Sequence, residues 1–157
     1  MSESQKEIDA RIILEAQGAP KEGVEEALKK LIVALEEQDG VRVYEKKFTE
    51  TEEKDEFFSS LCDAGVKFNN FETMMSIVLN FGPTAIVLNS PDKIEVSAGE
   101  VQNIVGDMTA LLHTLAQENA VLKLQNRAMF SRIKEAGLLD QDLAPEDGKG
   151  FQPVKEN

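Results

Sequence analysis

Few side chains in this sequence are suited to catalysis, and their spacing decides which chemistry is open. There is one histidine, His113, and one cysteine, Cys62, in 157 residues. A catalytic imidazole needs an orienting partner and a pocket. His113 falls on the outer face of a long helical repeat with acids distant on that face, so it reads as a surface residue. Cys62 lies on the small apolar face of an alternating segment, where a buried thiol is ordinary. One cysteine cannot close an intrachain disulfide, and one Cys with one His are too few for a zinc site. The run Glu50, Glu52, Glu53, Asp55 and Glu56 has the charge to attract a divalent ion. It lacks the glycine and alternation of an EF-hand loop, and reads as a solvated loop. No GxxxxGK[ST] or GxGxxG phosphate loop occurs. Gly18-Ala19-Pro20 precedes a helix start that could hold an anion, but Glu22, Glu25 and Glu26 oppose one. Arg42, Lys46 and Lys47 interleave with Tyr44 and Phe48, the style of an RNA-binding sheet, yet the central strands lack the matching RNP pattern. These residues predict no catalytic site, no cofactor and no metal. The expectation is a chain that is not an enzyme.

Charge and apolar content narrow the classes further. Acidic residues number 29 and basic residues 17, a net charge of −12 that argues against a general nucleic-acid binder. The acids concentrate: 49–56 holds five against one lysine, and 136–157 holds five against two lysines. The hydrophobic fraction of 41% is enough for a packed core. The polar, acidic start MSESQKEIDA has no apolar h-region and does not read as a secretory signal. No apolar run approaches the roughly 20 residues that span a bilayer. The longest, MMSIVL and TAIVL, suit buried elements. The expected location is the cytoplasm, with no membrane partner.

The elements that must position these side chains follow from periodicity and breakers. A β-rich run at 10–16 ends before Gly18 and Pro20. Val24, Ala27, Leu28, Leu31, Ile32 and Leu35 then recur at helical spacing over 21–38. Asp39-Gly40 stops that helix and hands the chain to a strand at 41–48. After the charged loop, 57–68 alternates Phe58, Ser60, Cys62, Ala64, Val66 and Phe68 on one face, the period of a half-buried strand. Asn69 or Asn70 caps a helix whose apolar face is Phe71, Met74, Met75 and Val78. Gly82-Pro83 ends it, 84–89 forms another strand, and KIEV adds a short extended piece. The order β-α-β-β-α-β over 8–97 predicts an α+β, ferredoxin-like domain with both helices on one face of an antiparallel sheet.

The most specific pattern lies beyond it. Between Ala98 and Ala136 there is no proline, and alternating steps of four and three meet Val101, Val105, Met108, Leu112, Leu115, Asn119, Leu122, Asn126, Met129 and Ile133. That 3.5-residue repeat predicts a coiled-coil helix over 98–135, nearly 60 Å long at about 1.5 Å per residue. With Val101, Met108, Leu115, Leu122 and Met129 at d, the a positions are Val105, Leu112, Asn119, Asn126 and Ile133. Leu at d with β-branched or polar a residues favours two strands. Asn119 and Asn126 can pair across a parallel dimer at matching heights; out of register each would be buried unsatisfied, at about 1–3 kcal/mol. Glu118 at g and Lys123 at the following e can pair across the seam in both directions. Ile104 and Leu111, apolar g positions near the start, imply that the first turns also pack on the globular domain. Residues 136–157 mix Gly, Pro and charge without period and predict a disordered tail, in which Leu138, Leu139, Leu143, Phe151 and Val154 are candidates for a short binding motif.

The stretch FGPTAIVLNSPDKI, residues 81–94, resembles small uncharacterised archaeal ferredoxin-like proteins with a C-terminal helix, and also the C-terminal regulatory modules of WYL-type transcription factors. No DNA-binding region accompanies it. The β-α-β-β-α-β half also looks like ACT-type regulatory domains, without their ligand motif. No functional residue carries over. The function expected is a homodimeric interaction or scaffold protein, joined through the C-terminal helix and presenting two heads to an unknown protein partner. The alternative is a small-molecule-sensing, ACT-like module with a pocket near 18–23 or between heads.

Overall fold

A computed structural model of the chain describes residues 7–137. The chain divides into two compact units at the 111/112 boundary. The elements of the first are β1 (Ile8–Gly18), α1 (Lys21–Glu36), β2 (Val41–Phe48), β3 (Glu52–Lys54), β4 (Phe57–Phe68), α2 (Phe71–Phe81) and β5 (Ala85–Ser90). The helix α3 (Ala98–Glu135) begins in the first unit and continues through the second. The fold is α+β: an antiparallel sheet of five strands with helices and a long C-terminal helix.

The strand order is β2-β4-β1-β5, with β3 paired to β4 beyond the end of β2. Every pairing is antiparallel. On β1 the alternation Ile8, Ala10, Ile12, Leu14 is fully buried, and on β4 so are Cys62, Ala64, Val66 and Phe68. These two central strands pack against α1 and α2. From α1, Leu28, Ile32 and Leu35 enter the core, and from α2, Met74 and Ile77. The other face of the sheet carries the intervening polar residues, as a period of two requires.

The helix ends are chemically specified. The Asn70 side chain accepts from Thr73 N at 2.8 Å and caps α2. Gly82 closes it at φ 56°, a left-handed conformation that glycine adopts without a Cβ clash. At the start of α3, Ser97 and Glu100 form a capping box: Glu100 N donates to Ser97 Oγ at 3.2 Å, and Ser97 N to Glu100 Oε2 at 2.8 Å. Gly137, at φ 68°, lies just past its end.

Five expectations change. The charged segment 49–56 is not all loop, because Glu52–Lys54 pairs with 57–59 of β4 through backbone groups that are indifferent to side-chain polarity. The buried face of α2 turns on Met74 and Ile77 rather than on Met75 and Val78, which are half-buried. Ala27 of α1 is exposed. The apolar run TAIVL is not buried: β5 is the last strand at the sheet edge, and all six of its residues are exposed. KIEV has no strand assigned, although Ile94 packs on the core. The tail expected over 136–157 lies outside the described residues beyond Gly137.

Candidate functional site

The polar face of the sheet holds a connected set of titratable groups. Arg11 on β1 is central. Its Nε donates to Asp63 Oδ1 at 3.0 Å and its Nη1 to Glu45 Oε2 at 2.7 Å. Asp63 and then Glu45 hold the guanidinium more firmly protonated than usual. In return Arg11, followed by Lys47, holds Glu45 below its ordinary 4.5. Beside this group, Asn89 and Tyr44 both donate to Asp9 Oδ1 at 2.8 Å. These bonds, Asn89 foremost, depress the Asp9 carboxyl, and the bond to Asp9 raises the Tyr44 hydroxyl. Tyr44 reaches Asp9 because β2 shifts register between Val43 and Glu45, and the ring lies over Gly65. A Cβ at Gly65 would stand 2.6 Å from Tyr44 Cε2, so the close approach requires glycine there. Further along, Ser59 and then Gln17 depress Glu15.

This arrangement neutralises itself. Its shifted carboxylates are held ionised, the wrong direction for a proton donor near neutrality. The basic stripe on β2 is likewise occupied: Arg42 pairs with Glu7 at 3.1 Å, Lys46 with Glu36 at 2.6 Å and Lys47 with Glu45 at 3.3 Å. Cys62 is fully buried, and burial pushes its thiol upward from 9.0, away from the reactive thiolate. His113 is exposed on α3. Among the described residues no three His, Cys, Asp or Glu groups converge to hold a metal, and no helix is long and apolar enough to cross a membrane.

A shallow cleft of about 210 Å³ lies between α1 and the turn after β2. Lys21, Glu25 and Lys29 line one wall, Phe48 to Thr51 the other, with Ser60 between. Glu25 is one helical turn from each lysine, yet its carboxylate accepts from Thr51 Oγ1 at 2.7 Å.

Among the described residues a long apolar stripe on α3 is uncovered. All eight apolar seam residues, Val101, Val105, Met108, Leu112, Leu115, Leu122, Met129 and Ile133, are exposed, from 39% at Met108 to 61% at Leu112. Asn119 and Asn126 are exposed on the same stripe. The g positions behave differently: Ile104 is buried and Leu111 half-buried. Asn103 Nδ2 donates to Glu72 Oε1 of α2 at 3.2 Å, a polar tie between the early turns of α3 and the rest of the first unit. Val121 and Leu124 are also exposed, at c and f, and lie outside the heptad count. The second exposed apolar group, Ile86, Val87 and Leu88 of β5, has a sequence signal: no charged residue lies between Phe81 and Pro91.

A sequence model of the MJ0538 family matches residues 9–144, most of the chain and both units. No curated protein and no solved structure matches it.

Proposed function

The chain belongs to the MJ0538 family, and from that premise we propose that it is a non-enzymatic homodimer, joined along α3 as a parallel coiled coil and presenting two heads to a protein partner. We read the head as ferredoxin-like; the strand order and the antiparallel neighbours support that reading.

One observation carries the proposal. Ten positions in unbroken heptad phase are exposed on α3, while the g residues beside them near its start are turned into the head. A surface helix satisfied by its own domain buries its apolar stripe; here the stripe that keeps the 3.5-residue period is the one left open. The occupant that suits it is a second copy. Asn119 and Asn126 satisfy each other only against identical residues at equal height, and Glu118 at g finds its opposite charge in Lys123 at e of an identical chain. Light scattering of the native protein at micromolar concentration tests this. The expected mass is twice 17.4 kDa; a single-chain mass ends the proposal.

The cleft beside Lys21 favours a second reading, a small-molecule-sensing module, since it adjoins the 18–23 loop and offers charges of both signs with an exposed ring, Phe48. A thermal-shift screen of small carboxylates and amino acids with no stabilising hit counts against it.

A further inference from the structure

Sheet edges carry unpaired N–H and C=O groups that invite another strand, and folded chains blunt them with charge, bulges or cover. The two edges of this sheet are treated differently. On β2, Arg42, Glu45, Lys46 and Lys47 line the strand and its register shifts at Tyr44. β5 carries no charge, and its one register shift, at Asn89, falls near its C-terminal end rather than at its centre. The strand pairs with β1 on one side only, all six residues are exposed, and its centre is Ile86-Val87-Leu88, with Val87 at 60%.

We propose that β5 pairs antiparallel with β5 of a second copy, centred on Val87, so that one sheet continues across the dimer. The proposal rests on the homodimer reading above. Two features select a second copy as the occupant. First, two identical strands set antiparallel bring identical charges together, and β5 has none. Second, a two-fold register about Val87 sets Ile86 against Leu88 of the partner subunit on the helix-covered face of the sheet. It sets Val87 against Val87 of the partner subunit on the other face. The β1 register places Ile86 and Leu88 on the helix-covered face, opposite the buried Ile12 and Ala10. Cross-strand pairs of this aliphatic kind stabilise a sheet.

Directly opposed residues of an antiparallel pair have Cα atoms about 4.5–5.5 Å apart, within the roughly 4.4–6.8 Å that a disulfide bridges. Val87→Cys therefore tests the register. Under mild oxidation by glutathione disulfide at neutral pH, two Val87→Cys thiols lose two protons and two electrons to the oxidant and form one interchain bond. The expected product is a covalent dimer of twice 17.4 kDa on a non-reducing gel. It should form at least about tenfold faster than with Val33→Cys, because opposed thiols react at the effective concentration of a tethered pair. Val33 is a fair control, since it is 51% exposed on α1. Native protein controls for Cys62, which is buried. Equal rates for the two variants overturn the β5 pairing. Light scattering of reduced Val87→Cys separates the two ideas. A dimer without preferential cross-linking leaves the helix seam standing and removes the edge pairing, whereas a single-chain mass removes both.

Discussion

Two leucines two residues apart on α3 provide the sharpest test of the seam. Leu122 is at d and 58% exposed; Leu124 is at f and 65% exposed. Within one chain they are nearly equivalent, and only the coiled-coil reading separates them. Truncating a fully buried leucine to alanine costs about 2–5 kcal/mol. Leu122 already has close to half its surface covered, so the part lost with the dimer is roughly half of that, about 1–2.5 kcal/mol per chain. Both chains carry the change, giving about 2–5 kcal/mol per dimer, or a rise in Kd of roughly 30- to 4,000-fold. Leu124→Ala removes a solvated side chain and should shift the dimer by under about 0.5 kcal/mol. Alanine is the better helix former, so helix loss cannot imitate the Leu122 effect. Sedimentation equilibrium from sub-micromolar to 100-micromolar protein reads the Kd for native, Leu122→Ala and Leu124→Ala chains. Equal effects, or a larger effect at Leu124, would show that the exposed stripe is not the contact and would refute the heptad assignment.

The other predictions address specificity, packing and pH. Asn119→Ile with Asn126→Ile should tighten association by about 2 kcal/mol or more while admitting species larger than a dimer; light scattering that finds only a weakened dimer contradicts the a-position assignment. Gly65→Ala should displace the Tyr44 ring and lower stability by about 1–3 kcal/mol in urea unfolding; the loss should shrink in a Tyr44→Ala background, and an unchanged loss there means the ring is not the obstacle. Acid should destabilise the head. Glu45, Asp9 and Glu15 are held below their ordinary values, so their contribution is complete above the unfolded values of about 4 and is lost as pH falls through the lower folded ones. Thermal melts between neutral pH and pH 3 should show that fall, and Glu45→Gln should flatten it; an identical slope in the variant contradicts the Arg11 assignment.

How much was legible follows from the kind of signal each element gave. The strand at 41–48 was readable because Asp39-Gly40 bounds it, and the helix from 98 because of its sustained 3.5-residue period. A cap at Asn69 or Asn70 was readable because an Asx side chain before an apolar run has one common use, and the structure selects Asn70. The face of α2 was not readable. In MMSIVL nearly every position is apolar, so several phases fit equally and only packing selects Met74 and Ile77. The exposure of β5 was hidden for another reason: apolarity reports what a residue tolerates, whereas edge position follows from strand order. The Tyr44–Asp9–Asn89 contacts join residues 35 and 80 positions apart, beyond any local period. For the seam the sequence held the pattern, and the structure added which of its neighbours are already taken.

That division gives the net charge a more specific meaning. Each copy carries −12, yet the surfaces that would meet are not acidic. Along α3, Glu100, Asp107, Glu118 and Glu135 are balanced in number by Lys123, Arg127, Arg132 and Lys134, and β5 has no charge at all. Repulsion between exposed charges is largely screened beyond about 10 Å at 0.1 M salt, so charges far from a contact oppose it weakly while charges inside it oppose it fully. The excess acid sits elsewhere, five residues of it in 49–56 alone. Approach through those regions sets like charges together, whereas approach through α3 and β5 does not. Under the proposed assembly the excess acid is carried by neither α3 nor β5, so it opposes neither contact directly.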